Sequence, residues 1–428
     1  MSGTALAHQR VIAIKPRKYL HLDPPLSEKR RAAFSITPQK VIKHSFLPFV
    51  GFEQIERRID FETEPFWTIT DKSRPIRYAS HNDSAIHSYY SDELSQLYED
   101  RLKDLGLDDC VLAYRSGIGS NITFAKQLFD EAKSRGTCVV ACYDVTKFFD
   151  SMQHERLERA ILKVLRRSQL PRDWISIFNR ITRYEWVDSR QLRKIVGKSL
   201  EQHRLCSIQQ FRNKVRPIIQ TNSSGFGIPQ GSPLSGLLAN VYMLPFDTKM
   251  RDFINQLGGS YRRYSDDIAI IIPGFGDLNA TEMALNMMLS DECLRLNNKK
   301  TCVTHLYPMG TTQVYDGDIL QYLGFTYDGE RILLRPSSLA RFYKKMKAAI
   351  RITVRAAYHA GYPEGEIRRR TLVGRFTHWG DRKNFVQYAY RASKIMDSPD
   401  IRKQLRNHVS IFSETLSKYR KKYYVGTD

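Results

Sequence analysis

Nowhere in the 428 residues is there a run of about 18 uncharged apolar side chains, so the sequence offers no membrane span. Cysteine is scarce: six thiols, at 110, 138, 142, 206, 293 and 302, form no Cys-x-x-Cys pair and no Cys/His cluster. That excludes the usual zinc-ligand spacings and a disulfide framework, and leaves buried thiols as the reading. The opening stretch, Met1 to Arg10, has no apolar core of the kind a secretory signal needs, which makes the expected location cytoplasmic. Acidic residues are also in short supply, 45 Asp and Glu against 67 Lys and Arg. The net charge of +22 makes a polyanion, and no membrane, the expected partner. The excess is localised: residues 331–428 carry 23 lysines and arginines against 7 acids, a net +16.

What is present is a globular composition, 42% hydrophobic and 11% aromatic, with length for two or three packed subdomains of about 100–200 residues each. Residues 1–45 are basic and poor in apolar periods, an arm of short pieces. From Phe46 strand-like stretches alternate with polar turns, and the basic segment 72–79 reads as extended, with a helix after it through Leu97. Apolar residues at Ile122, Ala125, Leu128 and Phe129 have helical spacing until Gly136 breaks it. Val139-Val140-Ala141-Cys142-Tyr143 is then a buried strand that delivers Asp144 at its end, with a helix over 153–165 behind it. Residues 189–222 read as a polar, partly irregular insertion.

Residues 261–264 and 268–272 are β-prone runs on either side of a Ser-Asp-Asp turn, a hairpin with two carboxylates at its tip. Beyond it come a helix over 281–296, a strand over 301–306, and a further hairpin over 319–327 and 331–334. From Ser337 the pattern turns helical, with Leu339, Phe342, Met346, Ile350 and Val354 on one face and Lys344, Lys345, Lys347, Arg351 and Arg355 elsewhere.

Three carboxylates in this layout point to chemistry. Nucleotidyl transfer to a nucleic-acid 3′ end uses two divalent cations about 4 Å apart, one lowering the pKa of the attacking hydroxyl and one neutralising the triphosphate. Hard cations demand carboxylate oxygens. Asp144 at a strand end and Asp266 and Asp267 on a hairpin meet that demand if the two elements pack antiparallel. A bare Tyr-x-Asp-Asp proves nothing, since at residue frequencies of about 5% it arises by chance in roughly one chain in twenty of this length. Taken alone, the turn is an Asp-rich hairpin.

Its neighbours change that reading. Asp144-Val145-Thr146-Lys147-Phe148-Phe149-Asp150 resembles the first catalytic motif of reverse transcriptases, especially those of group II introns, retrons and related bacterial enzymes. Gly227-Ile228-Pro229-Gln230-Gly231-Ser232-Pro233-Leu234-Ser235-Gly236-Leu237-Leu238-Ala239-Asn240 is similar to their template and nucleotide-binding motif. In the family's order there follow Tyr264-Ser265-Asp266-Asp267, then Lys300-Thr301, then Tyr322-Leu323-Gly324-Phe325, which looks like the primer-grip hairpin. Upstream, Arg74-Pro75-Ile76 and Ala113-Tyr114-Arg115 resemble fingers motifs.

The resemblance implies an α+β chain with the right-hand polymerase fold: fingers, a palm of antiparallel sheet with packed helices, and a helical thumb. The implied division is a basic N-terminal arm at 1–45, fingers and palm at 46–330, and a basic helical thumb and tail at 331–428. It also implies two Mg2+ ions, or Mn2+ in their place, and deoxynucleoside triphosphates (dNTPs) as substrates. Asp144 and Asp266 hold the metals in this picture, with Asp267 a supporting carboxylate and Val145 in the same metal-binding set. Phe149 occupies the position where a bulky ring under the sugar excludes a 2′-hydroxyl, which makes the product DNA. Gln230 and Gly231 touch the incoming nucleotide, the glycine by permitting close backbone approach. Arg74 and Arg115 are the candidates for triphosphate oxygens. Lys300 matches the lysine that protonates the leaving pyrophosphate, with Lys299 beside it as an alternative. Tyr322, Leu323 and Gly324 form the primer grip. Arg262 and Arg263 are expected on template phosphates, and Lys344, Lys345 and Arg351 on the backbone of bound RNA.

No ribonuclease H cluster, integrase-like pattern or Cys-rich endonuclease module is visible, which argues against a retroviral or typical mobile-intron enzyme. The Val-Thr-Gly motif of retron thumbs is missing. Gly374-Arg375-Phe376-Thr377-His378-Trp379-Gly380 and Tyr388-Ala389-Tyr390-Arg391-Ala392-Ser393-Lys394 look instead like the thumb of bacterial defence-associated reverse transcriptases, type 2 systems in particular. That resemblance implies a dedicated, structured non-coding RNA as template, a cDNA product, an antiphage role, and repetitive cDNA through rolling-circle copying. Four alternatives stay open. One is a retron-like or intron-type enzyme. Another is an RNA-dependent RNA polymerase, against which Phe149 and the Gln230-Gly231-Ser232-Pro233 loop speak. The others are a non-catalytic RNA-binding scaffold, and template-independent or protein-primed synthesis.

Overall fold

A computed structural model describes residues 14–60, 68–197, 203–380 and 383–425. At its centre is a five-stranded antiparallel sheet in the order Ser260–Tyr264, Asp267–Pro273, Cys138–Asp144, Cys302–Met309, Thr312–Gly317. The middle strand is apolar without alternation because both of its faces are covered. Ala141 and Tyr143, with Ile268, Ile270 and Ile272 beside them, share one core with the helices His154–Leu165, Ser235–Tyr242 and Leu244–Gln256. Cys138, Val140 and Cys142, with Ala269 and Ile271, share a second core with the helix Asn121–Arg135 and the C-terminal helices. A slip of one residue would exchange the two faces, so the register that sets Asp144 opposite Asp267 is strongly specified.

A second sheet runs Thr68–Tyr78, Phe49–Asp60, Glu185–Asp188, Gln220–Thr221. Its third core gathers Leu22, Val50, Val187, Leu192, Cys206 and Val215. The segment 189–222 is therefore more regular than its polarity suggested, although residues 198–202 lie outside the described set. Asp188 caps the helix Ser189–Val196 by accepting from Arg190 N and Gln191 N, both at 2.9 Å. The few apolar anchors here are too widely spaced to register as a period.

Three boundaries differ from expectation. The helix His81–Leu105 runs past Leu97 because Leu94, Tyr98 and Leu102 continue its buried stripe, and it stops at Gly106 with φ +62. The helix Leu278–Asp291 stops short of 296, because the chain must turn to bring Asn297 N onto Asp144 O at 2.8 Å. Thr312–Gly317 adds a strand the sequence did not suggest, largely exposed and so without alternation. Beside the sheet, Leu320–Tyr322, Phe325–Tyr327 and Ile332–Leu334 form a three-stranded unit.

The helix Pro336–His359 buries Phe342, Met346, Ile350 and Val354, the face read from the sequence. It packs with Arg369–Phe376, Phe385–Ile395, Pro399–Lys403 and His408–Arg420 into the same core as the second face of the central sheet. The first residues of the basic arm, 1–13, lie outside the described set, and with them the segment read as lacking a signal. The rest of the arm is tied down: Tyr19 OH donates to Ala79 O, and Asp23 accepts from His81 N and Asn82 N, all at 2.9 Å. All six thiols are free; Cys293 is exposed and Cys302 partly so, which departs from the uniformly buried reading. Among the described residues no helix is long and apolar enough to cross a membrane.

Candidate active site

Tyr264 pairs with Asp267 across the hairpin, which leaves Ser265 and Asp266 as the turn itself. Ser265 adopts φ +61, the left-handed conformation a two-residue hairpin turn requires. Val145 N donates to Asp266 O at 3.0 Å, fastening the turn to the end of the central strand. Asp144, Asp266 and Asp267 line one cleft of about 710 Å³. Its other walls carry Lys72, Arg74, Lys299, Lys300, Arg335 and Arg341, together with Tyr322, Leu323 and Gly324.

Burial, and then the charges of Asp266 and Asp144, push the Asp267 carboxyl up to about 7. Lys300 Nζ forms an ion pair with Asp144 Oδ1, and Asn297 Nδ2 donates to Asp144 Oδ2 at 3.4 Å. An all-oxygen donor set crowded with negative charge fits hard divalent cations such as Mg2+ or Mn2+. Among the described residues no group of three or more His, Cys, Asp or Glu side chains stands in a metal-holding arrangement.

Beneath the turn lies a buried network. Arg263 is 0% exposed. Its Nε and Nη2 donate to the two oxygens of Asp247 at 2.7 Å, and its Nη1 donates to Asn240 Oδ1 and Ser265 O at 3.1 Å. The expectation that Arg263 meets template phosphates is thereby corrected, because strand alternation turns Tyr261 and Arg263 inward. Arg262 points to the other face and pairs with Glu131 at 2.6 Å, a tie between strand and helix rather than a displayed cation. Arg115 is corrected too. Its side chain is 3% exposed, paired with Glu99 at 2.7 Å and donating to the carbonyls of Asp108 and Val111. It closes the loop after the helix His81–Leu105, whereas Arg74 does reach the cleft.

Gln230 and Gly231 join the second sheet to the short helix Phe148–Ser151 that follows Asp144. Arg77 N donates to Gln230 O at 2.7 Å, and Gln230 Nε2 donates to Asp150 Oδ1 at 3.4 Å. Gly231 has φ +125, and a Cβ there would come within 2.8 Å of Arg77 O. The close approach that demands glycine is made by protein backbone, where the sequence argument had put a nucleotide. Ser232 Oγ and His87 Nδ1 share a hydrogen bond at 3.1 Å. Phe149 sits edge-on to Phe148 and to Tyr114, with ring centroids 5.5 and 6.5 Å away. Phe149, Gln230 and Gly231 stand outside the lining of the cleft that holds the acids.

Asn121 Nδ2 donates to Leu323 O at 3.3 Å and to Tyr388 OH at 2.8 Å, so the Tyr322-Leu323-Gly324 turn and a C-terminal helix meet on one side chain. Lys344, Lys345 and Arg351 are exposed on the helix Pro336–His359. From that region it is Arg335 and Arg341 that line the cleft, and Arg341 also pairs with Glu56 at 2.8 Å. Sequence reasoning missed Asn121, Asp247, Asn297 and the part played by Tyr114. Tyr114 alone carried a signal, its place in a fingers-like motif.

Against known proteins, residues 69–327, more than half of the chain, match the family model described as reverse transcriptase (RNA-dependent DNA polymerase). A stretch of 77 residues is 30% identical to the retron Ec86 reverse transcriptase of Escherichia coli, spanning 18% of this chain and 24% of that enzyme. Among solved structures, the chain is similar to apo telomerase from Candida tropicalis, with TM-score 0.44, 9% identity, and coverage of 88% of this chain and 66% of that one. It is also similar to telomerase from Candida albicans in complex with a fragment of telomeric RNA, with TM-score 0.39, 12% identity, and coverage of 91% and 68%.

Proposed function

The chain belongs to the reverse transcriptase (RNA-dependent DNA polymerase) family, and from that premise we propose that it copies RNA into DNA by two-metal nucleotidyl transfer. The observation that carries the reading is Asp144 set opposite Asp267 and beside Asp266, in a cleft whose other charged walls are mostly cationic. Asp144 and Asp266, with Val145 adjoining, are the metal-binding set, and Asp267 supports them. When bound, the ions activate the primer hydroxyl and neutralise the triphosphate. Arg74 pairs with phosphate oxygens, and Lys300, already at the acids, donates a proton to pyrophosphate. Phe149 excludes the 2′-hydroxyl, Gln230 and Gly231 orient the nucleotide, and Tyr322, Leu323 and Gly324 hold the primer. Residues 46–330 are then fingers and palm, 331–428 the thumb, and 1–45 an arm.

The test is primer extension by the purified full chain on an RNA template with Mg2+, offered dNTPs or ribonucleotides. DNA synthesis is expected; robust ribonucleotide incorporation without DNA synthesis would overturn the reading. Replacing Asp266 and Asp267 together by alanine should abolish synthesis while leaving RNA binding in place. RNA binding with no synthesis by the unaltered chain would favour a scaffold.

For the biological role, we propose a dedicated, structured non-coding RNA as template, copied in the cytoplasm into cDNA that serves antiphage defence and is repetitive through rolling-circle copying. The support is the net +16 of residues 331–428, the exposed Lys344, Lys345 and Arg351, and the thumb motifs at 374–380 and 388–394. Sequencing the nucleic acid that co-purifies with the protein tests all of this at once. One recurrent RNA with tandem cDNA copies is expected, and a preparation carrying no defined RNA would overturn the dedicated template.

A further inference from the structure

Of the non-glycine residues that hold left-handed backbone conformations at the site, two touch: Tyr114 at φ +58 and Ser265 at φ +61. The Tyr114 hydroxyl and Ser265 Oγ share a hydrogen bond at 3.0 Å. Residues with a Cβ adopt this conformation reluctantly, so two of them in contact at one turn mark a positional demand.

The two residues before Tyr114 are anchored to the buried network beneath the turn. Leu112 N donates to Arg263 O at 2.9 Å, and Ala113 O accepts from Asn240 Nδ2 at 2.7 Å. The Tyr114 ring lies over Gly236, where a Cβ would come within 2.6 Å of it. It is also edge-on to Phe149, at 76°. Tyr114 nevertheless stays 50% exposed. Its hydroxyl reaches the Ser265-Asp266 turn while its ring stands edge-on to Phe149, which also meets the buried Phe148 edge-on.

A sugar filter works by refusing to yield. A 2′-hydroxyl is rejected only if the ring it presses on has no room to move, and that depends on what stands behind the ring. We propose that Tyr114 is a positioning residue with two separable parts: its hydroxyl holds Ser265, and with it Asp266, while its ring holds Phe149 in place against the sugar. This rests on the polymerase reading above, since it assigns the device that makes that polymerase select deoxynucleotides.

The test is single-nucleotide extension by the full chain on a primed RNA template, comparing kcat and kcat/KM for one dNTP and its ribonucleotide. Tyr114→Phe keeps the ring and removes the hydroxyl, so kcat should fall about fivefold with the selectivity ratio unchanged. Ser265→Ala should behave alike, and the double variant should be no slower than either single one, because both remove the same contact. Tyr114→Leu removes the ring, and selectivity for the deoxynucleotide should fall about tenfold. Gly236→Ala leaves Tyr114 intact but puts a methyl where its ring lies, and should lower selectivity in the same direction. Recovery of selectivity by Phe relative to Leu is a result that a general folding defect does not produce. Should Tyr114→Leu fail to fold, Gly236→Ala decides the role of the ring. Unchanged selectivity in Gly236→Ala, or losses that multiply in the double variant, would overturn the proposal. If the unaltered chain extends no primer with deoxynucleotides, it is the polymerase reading itself that fails, and this proposal with it.

Discussion

Arg263 and Asp247 form a doubly hydrogen-bonded ion pair at 2.7 Å directly beneath the Ser265-Asp266 turn, with both side chains 0% exposed. Removing one partner strands a charge in a place that water does not reach. Asp247→Asn and Arg263→Met should therefore each cost about 3–5 kcal/mol in urea unfolding. Arg263→Lys should not rescue, because a point charge cannot hold Asp247, Asn240 and Ser265 O together. A loss under about 1 kcal/mol in all three would mean the turn is held by something else.

Acid should destabilise the protein well above the pH at which an ordinary surface carboxylate titrates. His87 is fully buried against Ser232, and burial lowers it to about 4. Between that value and about 6.5 in the unfolded chain, the unfolded state binds a proton that the folded state does not. The stability tied to His87 is thus fully present above about pH 6.5 and shrinks by roughly 1.4 kcal/mol per unit of acidification, to a total of about 3 kcal/mol. Buried His21, also lowered to about 4, adds a slope of the same sign. Unfolding free energies from pH 4.5 to 7.5 measure it, and His87→Gln should flatten the profile by about one proton.

Gly231→Ala should disturb the loop that carries Gln230 where it meets the strand Thr68–Tyr78. The new Cβ would stand 2.8 Å from Arg77 O at φ +125, so either the strand Thr68–Tyr78 or the loop carrying Gln230 must move. A rise in KM for the nucleotide and a stability loss of about 1–3 kcal/mol are expected. Kinetics and thermal unfolding that match the unaltered chain would show that the contact is dispensable.

Neutralising Lys344, Lys345 and Arg351 together with glutamine should weaken RNA binding and flatten its salt dependence. For every phosphate that no longer meets a cation, the slope of log affinity against log salt should shrink by roughly 0.7–0.9. A titration of RNA affinity across salt concentrations checks this. An unchanged slope would direct attention to Arg335 and Arg341, the cations of that region that line the cleft.

Where a feature depends on near neighbours, the residues alone announced it. Asp144 at the end of a strand, Asp266 in a hairpin turn, and the Phe342, Met346, Ile350, Val354 stripe follow from periods of two and of three to four residues. The short helices of 189–222 were not legible, since three buried residues, Leu192, Cys206 and Val215, anchor that polar stretch to its core.

The chain by itself determined the order of strand, acid, helix, loop and hairpin, and the chemical kind of each candidate side chain. Only the tertiary structure decided which of the cations are available. Arg263 and Arg115 are consumed by Asp247 and Glu99, each paired across 16 residues, while Arg74 is left in the cleft. It also decided what braces the two turns at the cleft, since Tyr114 meets Ser265 across 151 residues, and Asn121, which holds Leu323 O, meets Tyr388 across 267. A side chain's type is a local fact. Whether its charge is buried, paired or open to a ligand depends on partners that folding alone brings within reach.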